Sequence, residues 1–368
     1  MVDQVIRVLL AGGGTGGHVY PAIAIARAIE KEYPNSMIRF AGTRTHMEWK
    51  AVPAAGYQIT PISARGLQRG QMLRNMGIPF SVARGLYQSW RVIRELDPHV
   101  VVGTGGYVSA PVLWAAGLAK VPYVLQEQNA FPGKTNRLLA ARALRIHIAF
   151  AEAADRFPEG KCLLSGNPVR PELLTATREA GLRMFGISAD SRVLLVFGGS
   201  GGSVALNRAM AAALGTILED PRVHIVWQTG PRYFEAYRSS VRVHDRLTLL
   251  GYIERMPLAY AAADLVMCRS GAITCSELEV SGTPAILVPS PNVAEDHQTW
   301  NARSIVADGG AVLLPEKELD TRLVTEVQTL MRDEGARAKM RAALLARARP
   351  AAAATIARDV IAIARGQA

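Results

Sequence analysis

Short apolar runs alternate along the chain with stretches in which apolar residues recur at helical spacing. The pattern predicts a first strand over Val5–Ala11, an amphipathic helix over Gly16–Glu32 and a second strand over Met37–Ala41. Val100–Val102 and Tyr123–Gln126 read as further strands with helical sequence between them. This βαβ rhythm predicts a parallel sheet covered on both faces. It breaks at Asn167-Pro168-Val169-Arg170-Pro171, where two prolines suit a linker. It restarts at Arg192–Phe197 and continues with Val223–Gln228, Leu247–Leu250, Leu265–Cys268 and Ala285–Val288. The fold class is therefore α/β, with two doubly wound halves that meet near residues 164–172. An Ala-rich helix, Pro350 to Arg365, closes the chain and suits either half.

Composition adds limits. The chain has 368 residues, 49% of them apolar and 20% charged, which fits a globular protein with material for two cores. Cys162, Cys268 and Cys275 are too few for a disulfide framework, and no CxxC pair suggests zinc, so a reducing cytoplasm is expected. No apolar run reaches the ~18–20 residues of a bilayer span. The first ten residues carry Arg7 and lack a signal-type apolar core, so neither secretion nor membrane spanning is expected. The net charge of +11 is lopsided: residues 1–167 hold 19 Lys/Arg against 10 Asp/Glu. Such a basic half suggests nucleic acid, an anionic membrane face or phosphate-bearing substrates.

Both halves open with a strand followed by glycines: Gly12-Gly-Gly-Thr-Gly-Gly17 and Gly198-Gly-Ser-Gly-Gly202. A glycine turn before a helix lets backbone approach a phosphate at the positive helix end. It can also be a tight turn with no ligand. A dinucleotide fold would want an acid at the end of the second strand, where this chain has Ala41-Gly-Thr-Arg44. Arg44 suits a 2′-phosphate instead, which keeps an NADP-dependent oxidoreductase open as an alternative. His18 follows the first turn directly. A helix N-terminus favours the neutral imidazole, able to accept a proton, although a merely space-filling histidine fits the position equally well.

In the second half, Cys268-Arg-Ser-Gly-Ala-Ile-Thr-Cys-Ser-Glu277 leads from a strand into a helix. Glu277, on the first or second turn, is placed to chelate two vicinal ribose hydroxyls, or simply to complement the helix dipole at the surface. Glu295-Asp-His297 is a poor metal signal, and no metal is assigned. Residues 65–94 interleave Met72, Leu73, Met76, Ile78, Phe80 and Trp90 with arginines. An apolar patch ringed by arginine suits an anionic membrane surface. The bland alternative, a helix with an arginine-rich outer face, fits most of residues 80–94 and fits Met72–Phe80 less well, because Gly77 and Pro79 disfavour a helix. Nucleic acid is not expected, since the segment lacks a recognised motif and has few aromatics for stacking.

Taken in order, these motifs resemble the MurG family of bacterial glycosyltransferases. The resemblance rests on Gly13-Gly-Thr-Gly-Gly-His-Val-Tyr-Pro21, Gly103-Thr-Gly-Gly-Tyr-Val-Ser109 and Gln126-Glu-Gln-Asn129. It continues through Gly166-Asn-Pro-Val-Arg170, Gly198-Gly-Ser200, Cys268 to Glu277, and Gln298-Thr-Trp-Asn-Ala302, and so spans nearly the whole chain. It implies a GT-B fold, two Rossmann-like domains facing across a cleft. Residues 1–165 would bind the acceptor and the membrane, joined by the C-terminal helix 350–368. Residues 166–349 would bind UDP-GlcNAc.

The implied reaction is inverting transfer of GlcNAc from UDP-GlcNAc to the 4-hydroxyl of undecaprenyl-linked muramyl-pentapeptide, forming a β-1,4 bond for peptidoglycan. The implied place is the cytoplasmic face of the cell membrane, peripherally on its anionic inner leaflet, with no cofactor. By motif position, Glu277 would hold the ribose. Ala272, Ile273, Thr274, Cys275 and Ser276 would line the turn at the donor phosphates and uridine. Ser200 and Arg170 would contact the diphosphate, and Ile253 would give a backbone contact to uracil. Gln298 and Asn129 would contact the sugar, with Thr15, Gly16 and Gly17 near the sugar and the acceptor diphosphate. His18 is the implied base and Glu127 the second candidate. The second turn reads Gly-Gly-Ser-Gly-Gly where the family commonly has Gly-Gly-Ser-Gln-Gly, and His297-Gln298 stands for a usual Gln-Gln pair. Rival readings are another GT-B enzyme, such as a UDP-GlcNAc 2-epimerase, and a non-catalytic membrane scaffold.

Overall fold

The computed structural model describes residues 5–64 and 78–367, without the side chains of Ile78 and Pro79. The chain forms two compact units, Met1–Val169 with Ala351–Ala368, and Arg170–Pro350. It changes unit between Val169 and Arg170, inside the proline-flanked segment and a few residues beyond the boundary read from the sequence.

The first unit is a seven-stranded parallel sheet: β1 (Ile6–Gly12), β2 (Ser36–Gly42), β3 (Gln58–Pro61), β4 (Val100–Gly105), β5 (Tyr123–Glu127), β6 (Arg145–Ile148) and β7 (Cys162–Leu164). Their spatial order is β3-β2-β1-β4-β5-β6-β7. Leu9, Leu10, Val101 and Val102 are fully buried, as a sheet covered on both faces requires. Helices α1 (Gly16–Glu32), α2 (Glu48–Ala54), α3 (Ile78–Leu96), α4 (Ser109–Leu118) and α5 (Lys134–Leu139) fill the connections. Pro79 does not interrupt a helix, as the sequence suggested. It lies in the first turn of α3, where the missing N–H has no carbonyl to meet.

The second unit has six parallel strands: β8 (Arg192–Phe197), β9 (Val223–Gln228), β10 (Leu247–Leu250), β11 (Leu265–Cys268), β12 (Ala285–Leu287) and β13 (Ala311–Leu313). Their order is β10-β9-β8-β11-β12-β13. Its helices are α6 (Arg178–Phe185), α7 (Val204–Ile217), α8 (Phe234–Ser240), α9 (Met256–Ala262), α10 (Ala272–Ser281), α11 (His297–Ala307), α12 (Leu319–Arg332) and α13 (Glu334–Arg347).

The last helix, α14 (Ala352–Ala364), packs on α1, β1 and β4 of the first unit and buries Ile356, Ala357 and Val360 completely. A polar tie adds to this apolar docking: Asp359 Oδ2 lies 3.1 Å from Nε2 of the buried His147, whose Nδ1 meets Ser165 Oγ at 2.7 Å.

In each sheet the strand order reverses once beside the first strand, between β1 and β4 and between β8 and β11. Open α/β sheets bind ligands at the carboxyl ends of the strands flanking such a point. Both glycine turns lie there.

Candidate active site

The first turn leaves β1 at Gly12 and enters α1 after Thr15. Gly14 has φ +88°, open to glycine but strained for other residues. A Cβ on Gly106, at the end of β4, would sit 2.3 Å from the Gly13 carbonyl oxygen, so the two glycine segments touch backbone to backbone. The amide of Gly14 does not await a phosphate. It donates to Oε2 of Glu48 at 3.0 Å, while the Thr43 amide (3.0 Å) and hydroxyl (2.5 Å) donate to Oε1. Burial alone would raise the Glu48 carboxyl, but these donors outweigh it and hold the group below its ordinary value. An internal carboxylate thus occupies one amide of the turn. Arg44 is exposed and stacks over Trp49 at 5.5 Å.

His18 is partly buried at the start of α1, its ring against Gly105. Nδ1 lies 2.9 Å from the Thr104 carbonyl oxygen and 3.0 Å from Gln128 Oε1. The Gln128 amide is oriented by its Nε2, which donates to Thr104 O (2.7 Å) and Gln126 O (3.1 Å). Both groups facing Nδ1 therefore accept, so Nδ1 carries the hydrogen and Nε2 keeps its lone pair. Gln126 Nε2 donates to Asn167 Oδ1 (2.9 Å), and Asn167 Nδ2 to Gln128 O (3.0 Å), which closes a buried polar network behind the imidazole.

The surroundings of Glu127, the second base candidate, argue against that role. It is 1% exposed. Oε1 accepts from the Asn129 amide (3.0 Å) and side chain (3.3 Å), and Oε2 from the Gly133 amide (3.0 Å) and Asn136 Nδ2 (2.8 Å). Its lone pairs organise the loop after β5, which carries Asn129. Thr15 is exposed, and His18 and Val19 bond back to its carbonyl, so the amides of Gly16 and Gly17 lie at the helix entrance.

The second turn follows β8. Gly199 (φ +87°) and Gly202 (φ +77°) again need the left-handed region, and a Cβ on Gly202 would sit 2.0 Å from the Thr229 carbonyl oxygen. Ser200 is exposed at its tip, and Ser203 caps α7. Here no carboxylate is described on the turn's amides. Instead buried Gln228 bridges two segments: Nε2 donates to Gly199 O (3.0 Å), and Oε1 accepts from the Ile253 amide (2.7 Å). The Ile253 N–H is thereby engaged, and its carbonyl is the group left for a ligand contact. Arg269 ties Ser203 Oγ (2.8 Å), the Val288 and Pro289 carbonyls, and Glu316 together beneath the turn.

Helix α10 starts after Gly271 at the end of β11. Cys275 is fully buried and its amide bonds back to Gly271 O at 2.9 Å, so both its thiol and its N–H are engaged within the protein. The amides of Ile273 and Thr274 precede it at the positive helix end, whereas the side chain of Ser276 is buried. Gln298 serves its loop: Oε1 accepts from the Ser290 amide (2.9 Å) and its carbonyl from Ser270 Oγ (2.8 Å).

Glu277 lies on the second turn of α10 and is 5% exposed, which removes the surface-dipole reading. Arg170 Nε stands 3.4 Å from Oε1, and the Tyr260 hydroxyl donates to Oε2 at 3.1 Å. Burial raises the carboxyl above its ordinary value of 4.5, and Arg170 and Tyr260 offset this only in part. Arg170, expected on the diphosphate, thus pairs with the expected ribose ligand. Sequence reasoning missed Glu48, Gln128, Gln228 and Tyr260. Of these only Gln128 stood inside a quoted motif.

Of the membrane candidates, Phe80 is 87% exposed and Trp90 47%. Met72, Leu73, Met76 and the Ile78 side chain lie outside the described residues.

Two doubly wound parallel sheets, each with a glycine turn at its switch point, are the two Rossmann-like domains of the GT-B class. Residues 8–148 match the glycosyltransferase family 28 N-terminal domain and residues 193–356 its C-terminal domain. The chain is 54% identical to the UDP-N-acetylglucosamine–N-acetylmuramyl-(pentapeptide) pyrophosphoryl-undecaprenol N-acetylglucosamine transferase of Salinibacter ruber, covering 99% of this chain and 98% of that one. It is 45% identical to the enzyme of that name from Symbiobacterium thermophilum, over 98% and 97%. The crystal structure of Acinetobacter baumannii MurG matches with a TM-score of 0.79 at 28% identity, covering 97% of this chain and 99% of that one. The chain belongs to glycosyltransferase family 28, within the MurG group of N-acetylglucosamine transferases.

Proposed function

We propose that the chain transfers N-acetylglucosamine from UDP-GlcNAc, with inversion, to the 4-hydroxyl of undecaprenyl-diphospho-muramylpentapeptide, forming lipid II. The observation that carries the donor half is Glu277: a buried carboxylate one helical turn behind the N-terminus of α10, at a switch point, with Arg170 beside it. Such a carboxylate accepts two ribose hydroxyls. The amides of Ile273 and Thr274, Ser200 at the glycine turn and the half-exposed Arg170 cation face the charge that grows on the leaving diphosphate, as an oxyanion hole does. The Ile253 carbonyl takes the uracil N–H.

His18 supplies the base. With its hydrogen on Nδ1, the Nε2 lone pair accepts the proton of the 4-hydroxyl as that oxygen attacks the anomeric carbon. Thr15, Gly16 and Gly17 stand beside it for the acceptor.

Membrane attachment is peripheral, on the anionic leaflet facing the cytoplasm. No described helix is long and apolar enough to cross a bilayer. The outward face of α3 shows Phe80, Val82, Tyr87 and Trp90 beside Arg84, Arg91 and Arg94, while α4, packed on α3, exposes Trp114 and Leu118. Aromatic residues at headgroup depth with flanking arginines suit such a surface.

The test is transfer of labelled GlcNAc to the lipid-linked acceptor in anionic vesicles. Wild type forms disaccharide; His18→Ala loses about 10²–10⁴-fold in kcat while UDP-GlcNAc affinity holds. Phe80→Ser/Trp90→Ser loses vesicle binding but keeps the rate on a short-chain soluble acceptor. Release of the free 2-epimer without transfer would replace this reading with an epimerase.

A further inference from the structure

Tyr260 belongs to no motif in the sequence reading, yet it is 1% exposed and its one polar side-chain atom reaches the candidate ribose ligand. It lies on α9, a different helix from Glu277, and its ring packs edge-on against Phe197 at the end of β8, centroids 6.0 Å apart. The phenol is thus held from behind by the core, and its hydroxyl donates to Oε2 of Glu277 at 3.1 Å.

We propose that Tyr260 is a positioning residue of the nucleotide site: its hydroxyl fixes the Glu277 carboxylate in the rotamer and charge state that accept the two ribose hydroxyls.

This inference rests on the reading of Glu277 as ribose ligand. A carboxylate accepts up to about four hydrogen bonds. One donor from the protein side pins its plane and leaves the remaining lone pairs for the ribose. Among the described residues, the groups that act on Glu277 are the Arg170 cation, the Tyr260 hydroxyl and the Cys268 thiol. Burial pushes both the phenol and the thiol well upward, so both stay neutral, and only Arg170 and Tyr260 favour the ionised carboxyl. Arg347 lies on another side of α10, against Glu279 and Asp308. Removing the Tyr260 hydroxyl therefore has two effects: the carboxylate loses its anchor, and it protonates at a higher pH.

The experiment measures dissociation constants of UDP and 2′,3′-dideoxy-UDP on the full chain by calorimetry, from about pH 5 to about pH 8.5. The proteins are wild type, Tyr260→Phe, Glu277→Gln and the double variant. Expected for Tyr260→Phe is a loss of about 3–10-fold in preference for UDP over the dideoxy analogue, the scale of one hydrogen bond to a charged site. Its UDP affinity falls off at a higher pH than in wild type. The double variant binds as Glu277→Gln does. The ratio of two ligands on one preparation does not depend on the fraction folded, so a less stable Tyr260→Phe still answers. A ratio and a pH midpoint unchanged in Tyr260→Phe overturn the proposal while Glu277 stands. A Glu277→Gln protein with wild-type preference for UDP overturns the ribose reading itself.

Discussion

The two glycine turns share a backbone plan and differ in charge. Each leaves the first strand of its sheet, and each is closed by a glycine from a neighbouring strand end, Gly106 against Gly13 and Gly230 against Gly201. In the first, the Gly14 amide is taken by the Glu48 carboxylate. In the second, a neutral amide, Gln228, holds the turn through its Gly199 carbonyl, and a buried carboxylate stands one helix away, positioned by Tyr260 and Arg170. A buried negative charge on the first turn takes one of its amides, that of Gly14, away from any ligand. The same charge set back from the turn leaves the amides open, and in the proposed donor site it meets the ribose. A glycine pattern therefore states where a backbone can approach something closely. The side chains around it decide what that is.

The largest expected effects come from filling the close approaches. Gly202→Ala puts a Cβ 2.0 Å from the Thr229 oxygen and Gly106→Ala one 2.3 Å from the Gly13 oxygen, both at positive φ. Each should cost about 2–4 kcal/mol of stability in its own unit. The comparison is sharpened by what else is lost. Gly202→Ala should abolish UDP binding at permissive temperature, whereas Gly106→Ala should keep UDP binding and lose transfer. Equal loss of UDP binding in both would mean that the first turn also serves the nucleotide. Calorimetry with UDP beside the vesicle assay gives the answer.

Most of the architecture was legible because long apolar strands and helix-period patterns are set by local sequence. Val5–Ala11, Gly16–Glu32 and Arg192–Phe197 lie within a residue of the observed elements. The short strands β3, β6, β7 and β13 carried no such signal. β6 reads Arg-Ile-His-Ile, and its buried His147 finds its polar partners in Ser165 and Asp359, both outside the strand. The site divides in the same way. Glu277 and His18 stand in motifs next to glycines, where helix starts are predictable. Glu48 reaches Gly14 from 34 residues on, and Tyr260 reaches Glu277 across two helices, so both contacts exist only once the sheet has folded. Cys275 shows the converse. It sits inside the motif, but the helix turns it inward.

The two buried glutamates should respond to pH with opposite sign. The Glu48 carboxyl lies below its ordinary value, so the stability it contributes is complete above 4.5 and is lost as pH falls through its lowered value. The Glu277 carboxyl lies above 4.5, so the folded state holds that proton more tightly than the unfolded one. Its charge costs stability above the raised value, and the cost fades as pH falls toward 4.5. Glu48→Gln should lower the melting temperature at neutral pH, and Glu277→Gln should raise that of the ligand-free protein, each by about 1–2 kcal/mol equivalent. In the proposed donor site UDP adds donors to the Glu277 carboxylate, so its binding should release protons in acidic buffer, seen as a buffer-dependent enthalpy. A melting temperature lowered by both variants would erase the contrast between a structural and a ligand-facing carboxylate.

The smallest effect should come from Gln128, and it separates orientation from proton affinity at His18. The Thr104 carbonyl alone still accepts from Nδ1, so Gln128→Leu should keep the tautomer and lose only about 3–10-fold in kcat, the scale of one hydrogen bond. Donor affinity, which the proposed function places in the other unit, should not move. Gln128→Glu tests the same position by charge. A carboxylate facing Nδ1 stabilises the imidazolium, so the acid limb of the kcat profile should shift to higher pH, because His18 then stays protonated, and useless as a base, further up the scale. A profile unmoved by that carboxylate would mean that the titration limiting turnover is not at His18. The first turn would then keep Glu48 and its glycines for the acceptor alone, with the proton of the 4-hydroxyl leaving by another route.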